Sequence, residues 1–206
     1  MTSWDKYAGK ARGWSDREYA QAGAYLSHRA DLIRNLGPAL RAGDVVLDLA
    51  CGDGGLADYL PEQRYVGVDA SEEMVVAGRE RGRELVHADL NDYQPPQPVQ
   101  ATTIFRAIYY ARDRRALLER IAGYTEKKLV FDLNPRQYDV DELRADLHAA
   151  GFDRLELRAF FVPQTVAPRA ALRHLLRIAE RMGPVARLLL RVRFTYMCAA
   201  SRAEAS

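Results

Sequence analysis

Several features that reveal the function of a chain at a glance are missing from these 206 residues. The two cysteines, Cys51 and Cys198, are too few for a disulfide framework and indicate reduced thiols in a reducing compartment. No apolar run approaches the ~18 residues of a membrane-spanning helix, and no charged-then-apolar leader is visible, so we expect a cytoplasmic protein. Neither a Ser-His-Asp arrangement nor a metal-binding Cys/His spacing is seen, so no metal site is predicted.

The small net charge of +2 conceals an uneven distribution. Residues 161–206 contain eight arginines against Glu180 and Glu204, whereas residues 1–160 are net acidic. Leucines at helical spacing alternate with these arginines, which suggests two amphipathic helices. The favoured interpretation is a helix pair docked on the domain with solvated arginines, since few bulky aromatics mark an interfacial face. Attraction of an acidic substrate or an anionic membrane surface is the alternative.

The most informative feature is an apolar run that enters a glycine-rich turn. Val45–Leu49 has the composition of a strand buried on both faces, and three glycines follow at 52, 54 and 55. Glycine allows a sharp bend and close approach of a ligand to the backbone. A helix is expected to begin near Leu56, and Asp69 ends the next apolar run, 21 residues after Asp48. This layout predicts a nucleotide-type cofactor at the carboxyl ends of parallel strands.

Three motifs that occur in order along the chain indicate which class of cofactor-binding protein this is. The segment from Asp48 to Gly54 resembles motif I (D-x-G-C-G-x-G) of class I S-adenosylmethionine-dependent methyltransferases, with Ala50 in place of the first glycine. Residues 67–74 (GVDASEEM) resemble the second motif and residues 87–90 (HADL) the third. The resemblance extends from about Trp4 to Ser201 and implies S-adenosyl-L-methionine as the cofactor.

The resemblance also implies roles for individual residues. Asp48 would lie near the methionine end of the cofactor, Asp69 would accept the ribose hydroxyls, and Asp89 would accept the adenine amino group. Cys51 is interpreted as a small packing residue in the turn, in preference to a nucleophile. The complete predicted cofactor-binding set is Tyr7, Asp48, Ala50, Cys51, Gly52, Asp69, Ala70, Met74, Asp89, Leu90 and Arg106.

The acceptor side is less clearly defined. Arg106, Tyr109 and Tyr110 follow the fourth strand, where the family places residues around the reacting methyl group; tyrosines of the core or rim are the alternative. An arginine there would suit a carboxylate-bearing acceptor. His28 and His174 are candidate general bases. Tyr7 and Trp14 are candidate lid residues, with a frayed terminus as the alternative. The predicted catalytic residues are His28, Arg106, Tyr109 and Tyr110.

The alternation of elements predicts an α/β protein with a doubly wound, Rossmann-like, seven-stranded sheet and helices on both faces. The resemblance implies that the last strand is antiparallel. We expect one domain over 1–206, with amino-terminal cap helices in 1–42 and a helical insert at 163–193. The predicted strands are 45–49, 65–69, 84–88, 101–105, 128–133, 154–162 and 194–199. The predicted helices are 15–42 with a break at 37–38, one from 71, then 113–123 and 140–150.

The function predicted from these features is methyl transfer from S-adenosylmethionine to an oxygen or nitrogen of a small, possibly acidic, molecule. No nucleic-acid-binding pattern is recognised, so no nucleic acid partner is expected. Two alternatives stay open. One is a lipid or prenyl-quinone methyltransferase that works at the membrane surface, and the other is a binding module that holds the cofactor without turnover. The sequence does not identify the acceptor or the oligomeric state.

Overall fold

The computed structural model describes residues 11–190 and 195–203, within which seven strands form one sheet. The strand order is β3-β2-β1-β4-β5-β7-β6, with β7 antiparallel to both of its neighbours and the other pairs parallel. The strands are β1 (Val45–Leu49), β2 (Arg64–Asp69), β3 (Leu85–His87), β4 (Val99–Ile104), β5 (Thr125–Leu133), β6 (Arg154–Phe160) and β7 (Thr195–Ser201). The predicted doubly wound sheet with an antiparallel last strand is confirmed.

Seven α-helices accompany the sheet in the described ranges: α1 (Trp14–Glu18), α2 (Ala22–Asn35), α3 (Glu72–Glu80), α4 (Arg114–Tyr124), α5 (Val140–Ala149), α6 (Ala170–Ala179) and α7 (Gly183–Leu190). Side chains alternate between two cores because successive residues of a strand face opposite sides. Leu47 and Leu49 belong to the core beneath α4 and α5, whereas Val46 belongs to the core beneath α2. Asp48, two residues after Val46, therefore faces the side of α2.

Several predicted element boundaries were wrong: the amino-terminal helical region ends at Asn35 and not at residue 42, and β5 begins at Thr125 and not at Lys128. The amino-terminal helix divides at 19–21, where the backbone N–H of Ala20 donates to the carbonyl of Gln164 at 2.8 Å. The glycine turn leads into a 3-10 helix, Gly55–Tyr59, in place of an α-helix. β6 ends at Phe160 because the N–H of Phe161 donates to the Glu180 carboxylate at 2.7 Å and leaves the ladder.

Two buried polar contacts fix the position of α2. The ammonium group of Lys128 in β5 donates to the carbonyl of Leu36 at 2.7 Å, just beyond the C-terminus of the helix, where unpaired carbonyls attract cations. On the opposite flank, His28 Nε2 lies 2.8 Å from a Glu180 carboxylate oxygen after α6. The ring of His28 stacks on Phe160, with 5.1 Å between centroids. These contacts hold α2 across the carboxyl edge of the sheet.

Candidate active site

The carboxyl ends of β1, β2 and β4 border a cavity of about 420 Å³. Nine residues from the predicted site line it: Asp48, Ala50, Cys51, Gly52, Asp69, Met74, Arg106, Tyr109 and Tyr110. Trp14, the lid candidate of α1, also lines the cavity. Ala70, Asp89, Leu90 and His28 are not among the residues that line it. Tyr7 lies outside the described residues.

Asp48 at the end of β1 is buried and hydrogen-bonded. Its carboxylate accepts from the hydroxyl of Thr103 at 2.6 Å and from the phenol of Tyr65 at 2.7 Å. Burial raises the pKa of Asp48 to about 6, although both hydrogen bonds lower it. The carboxylate is thus held in place while its negative charge is poorly solvated, so a cationic group nearby would be stabilising.

Asp69 at the end of β2 is oriented by the backbone. One carboxylate oxygen accepts from the N–H of Gly52 at 2.7 Å, and the other accepts from the N–H of Ser71 at 2.9 Å. Each oxygen retains a free lone pair, which is the donor–acceptor pattern required by two adjacent hydroxyls. Burial raises the pKa of Asp69, opposed by these two N–H bonds. The structure brings Asp48 and Asp69 together at one edge, as their spacing predicts.

The backbone at this edge is in unusual conformations. Ala50 and Arg106, at the ends of β1 and β4, have φ angles of 58° and 53°, a left-handed region that non-glycine residues rarely occupy. Such strain costs roughly 1–3 kcal/mol per residue and concentrates at functional sites. Ala50, which stands where the motif has glycine, thus has a backbone conformation that favours glycine. Burial raises the pKa of the Cys51 thiol well above its usual value, which fits a packing residue and not a thiolate nucleophile.

α1 covers the glycine turn through contacts with Asp53. The Ser15 hydroxyl bonds one oxygen of the fully buried Asp53 carboxylate, and the Ser15 N–H donates to the other at 3.3 Å. The Asp53 carbonyl in turn accepts from the guanidinium of Arg83 at 2.6 Å. The indole of Trp14 packs over Gly52, where a Cβ would lie 3.2 Å from its Cδ1 atom. Trp14 therefore closes one wall of the cavity.

The two arginines of the cavity differ in their partners. Arg106, the predicted carboxylate ligand, already forms an ion pair with Glu18 at 2.8 Å. Arg29 of α2 is only 4% exposed, and its guanidinium lies 4.2 Å from the Phe105 ring centroid and 4.7 Å from that of Tyr25. It donates to the Tyr25 hydroxyl at 2.8 Å, but its Nε has no hydrogen-bond partner. No carboxylate within the described ranges lies at ion-pair distance from Arg29.

Sequence reasoning missed Arg29, although a signal existed. Tyr25, Arg29 and Ile33 follow one another at i, i+4 along the buried face of α2, so a charged residue interrupts an apolar row. Burial disfavours the charge, but Tyr25, Tyr19, Asp132 and Asp48 favour it, and the pKa of Arg29 is raised above its ordinary value. Arg29 is therefore a permanent buried cation in the cavity wall.

Other predicted site residues have local partners outside the cavity. His28 is tied to Glu180, which explains why it does not reach the reacting centre. Asp89 accepts from the backbone and side-chain N–H groups of Asn91 and from Arg112 at 2.9 Å. His174 is exposed on α6.

Across 11–190 and 195–203, no three side chains of His, Cys, Asp or Glu meet in a potential metal site. In that same part of the chain, no helix combines the length and apolar character needed to cross a bilayer.

Comparison with known proteins agrees with this geometry. Residues 46–128 match the methyltransferase domain family. The trans-aconitate 2-methyltransferase of Azoarcus sp. (strain BH72) is 29% identical over 135 residues, which cover 61% of this chain and 52% of that protein. The enzyme of the same name from Mycobacterium marinum is 34% identical over 103 residues, covering 46% of this chain and 38% of that protein. The chain thus spans about half, or less, of the length of the curated relatives that it matches.

Solved structures match almost the whole chain. A putative methyltransferase in complex with the Trm112 activator from Haloferax volcanii has a TM-score of 0.67 at 19% identity and covers 98% of this chain and 99% of its own. The S-adenosylmethionine-bound magnesium protoporphyrin IX methyltransferase from Synechocystis PCC 6803 gives 0.60 at 14% identity, covering 97% and 89%. The fold is that of the Rossmann-like methyltransferases. The matched segment, residues 46–128, is a methyltransferase domain similar to those of the class I S-adenosylmethionine-dependent methyltransferases, whose cofactor is S-adenosylmethionine.

Proposed function

We propose that this protein transfers a methyl group from S-adenosylmethionine to an oxygen of a small organic acid, and that Arg29 binds a carboxylate of that acid. The observation that carries the proposal is a buried guanidinium in the cavity wall that lacks an ion-pair partner among the described residues. A buried charge without a partner is costly, and an anionic ligand removes that cost. Curated relatives are named for trans-aconitate, which is itself a carboxylate.

The residues at the strand ends fit the cofactor. Asp69 offers two lone pairs to the ribose hydroxyls, while the buried Asp48 carboxylate suits the cationic part of the methionine moiety. The backbone of Ala50, Cys51 and Gly52 would lie beneath the cofactor, and Met74 would pack against it. Ala70, Asp89 and Leu90 stay predictions for the adenine end, and Tyr7 stays a prediction for the lid.

The bound cofactor supplies an electrophilic methyl group, so the protein has to position the acceptor and exclude water. Trp14 and α1 cover the turn, and Tyr109 and Tyr110 border the opposite wall. A carboxylate oxygen is already deprotonated near neutral pH, so it needs no general base. This requirement fits a cavity whose lining contains no histidine from the described residues. Arg29 would hold the acceptor in line, and Arg106 would remain paired with Glu18.

The test compares Arg29→Gln with Arg106→Gln, a second cavity arginine that already has a carboxylate partner. We expect Arg29→Gln to lower kcat/KM for a di- or tricarboxylate acceptor such as trans-aconitate by about 100-fold, the scale of a lost buried charge-assisted pair. Its affinity for S-adenosylmethionine, measured by calorimetry, should stay within about threefold. Arg106→Gln should change kcat/KM by less than about fivefold, and circular dichroism would verify that both variants are folded.

Three outcomes would contradict the proposal. Arg29→Gln could weaken the binding of S-adenosylmethionine and leave unchanged the binding of 5′-methylthioadenosine, which lacks the carboxylate. Arg29 would then bind the carboxylate of the cofactor and not that of the acceptor. If the wild-type protein methylates amines or phenols but no organic acid, the acceptor class is wrong. If the cofactor binds and no acceptor in a panel of acids, amines and phenols is methylated, the protein is a binding module.

A further inference from the structure

The strongest unexplained feature lies far along the chain from the cofactor turn, in the helical hairpin formed by α6, α7 and their connection (residues 170–190). Nine large hydrophobic side chains are exposed in the described part of the chain, and six of them belong to this hairpin. Leu175 is 61% exposed and Leu188 is 63% exposed. The six are Leu172, Leu175, Ile178, Met182, Val185 and Leu188. Contiguous exposed apolar surface of this kind marks an interaction site.

The apolar face of α6 is only half covered by its own domain. Leu176 and Ala179 pack against the small core of Ala159, Phe161 and Ala186. Leu175 and Ile178 lie three residues apart on α6, and Met182 follows in the connection to α7, so these three make a second apolar row beside the packed one. Each of these three side chains is between 45% and 61% exposed. The hairpin is therefore docked by one edge and exposes the other.

An apolar cavity extends this face into the fold. It has a volume of about 440 Å³, and its walls include Phe160, Val162, Leu172 and Leu176. Half-exposed Leu172 belongs both to this cavity and to the exposed face. Tyr25, which bonds Arg29 on its other side, closes the inner end. Tyr25 therefore lies between this cavity and Arg29 of the candidate active site.

The charges beside this face have one sign. Arginines recur every fourth residue at 169, 173, 177 and 181, and Arg187 follows in α7. The single acid of 169–190, Glu180, is buried against His28 and the N–H of Phe161. Arg173 donates to Gln21, and Arg177 lies 3.8 Å from Asp31, while Arg169 and Arg181 are exposed. Long arginine side chains can keep their heads in a polar layer while neighbouring apolar groups enter a less polar one.

We propose that the hairpin is a docking surface for an anionic lipid bilayer, with its apolar row at the boundary between headgroups and acyl chains and its arginines at the headgroups. A helix with an apolar face beside a basic face lies in the plane of such an interface. A second copy of this chain fits less well, because a two-fold interface would set arginine rows of equal charge against each other. The proposal concerns where the protein works and does not depend on the acceptor identified above.

The test is co-sedimentation of the full-length protein with vesicles of phosphatidylcholine alone or of equimolar phosphatidylcholine and phosphatidylglycerol. We expect binding to the anionic vesicles that weakens with added salt, and at least tenfold weaker binding to the neutral ones. Leu175→Asp with Leu188→Asp should reduce the partition coefficient by at least tenfold, because charged side chains resist the apolar layer. Val76→Asp, at a 47% exposed apolar position on α3, is the matched control and should change nothing.

A separate pair of substitutions tests the contribution of the hairpin arginines to vesicle binding. Each interfacial arginine contributes about fivefold to binding of anionic lipid, so Arg169→Gln with Arg181→Gln should cost about 25-fold. Arg154→Gln with Arg158→Gln, two exposed arginines of β6, should cost less than about twofold. The proposal is overturned if the wild-type protein does not bind anionic vesicles at low salt, or if Val76→Asp or the Arg154→Gln, Arg158→Gln pair weakens binding as much as the hairpin pairs do. It is also overturned if light scattering finds a dimer that Leu175→Asp dissociates, since a second copy then covers the face.

Discussion

The edge formed by β1 and β2 and the hairpin formed by α6 and α7 are built on opposite principles. At the edge, acids are buried and their oxygens are satisfied by named donors, such as Thr103 and Tyr65 for Asp48. In the hairpin, six large apolar side chains are exposed, and Arg169 and Arg181 are exposed with them. The edge has partners within the chain and needs only a small ligand to complete it. The hairpin has partners on one side only, through Arg173, Arg177 and the small core that contains Leu176, and its remaining apolar surface is exposed.

The largest expected difference between the two regions is in the free energy of unfolding lost when a methyl group is added to a glycine. A Cβ at Gly78 of α3 would lie 2.6 Å from the carbonyl oxygen of Asp53, in the cofactor turn, and would also clash with Leu85. Gly78→Ala should therefore lower the free energy of unfolding by about 3 kcal/mol, measured by urea denaturation. Gly183→Ala, at the start of α7, is the control, because a Cβ there would meet no described atom within 4 Å. It should change stability by less than about 0.5 kcal/mol, and equal effects of the two substitutions would refute the contrast.

Substitutions at the edge and in the hairpin should also differ in their effect on the affinity for S-adenosylmethionine. Asp69→Ala removes two charge-assisted acceptors and should weaken S-adenosylmethionine binding by about 100-fold in calorimetry. Asp89→Ala should cost only about fivefold, because its carboxylate is already shared with Asn91 and Arg112. Leu175→Asp in the hairpin should leave the affinity unchanged. If the Asp69→Ala protein binds S-adenosylmethionine as tightly as the wild type, the cofactor does not bind at Asp69 and the assignment of the site is wrong.

The same contrast explains how far the sequence could be interpreted. Strand ends, glycines and the acids Asp48 and Asp69 were predictable because a buried strand followed by a turn is encoded within about ten consecutive residues. Ala50 was recognised as a substitute for glycine, and its φ of 58° lies in the left-handed region that favours glycine. The end of β6 and the break after α1 were not predictable. Both depend on hydrogen bonds to residues distant in sequence, Glu180 and Gln164.

Side-chain partners were the least predictable part. His28 was a candidate base by its position on the cap helix, but its partner Glu180 is 152 residues away. Arg106 was predicted to bind a carboxylate, and the structure supplies one from within the chain, Glu18, 88 residues away. Arg29 received no role, since a charged residue on an apolar helix face acquires meaning only when the facing cavity is known. Local patterns therefore predicted which residues stand at the strand ends, but not which distant side chains pair with them.

The buried acid of the edge also predicts a pH dependence that the hairpin lacks. The pKa of Asp48 is raised from an ordinary value of 3.8 to about 6, so the folded state binds a proton more tightly than the unfolded chain. Between these two values stability must fall as pH rises, by about 2 kcal/mol for a shift of this size. Asp48→Asn removes the ionisation while it keeps an acceptor for Thr103. The difference in unfolding free energy between Asp48→Asn and wild type should therefore grow by about 2 kcal/mol from pH 4 to pH 7. A constant difference across that range would show that Asp48 ionises normally, and the argument for a poorly solvated carboxylate awaiting a cation would fail with it.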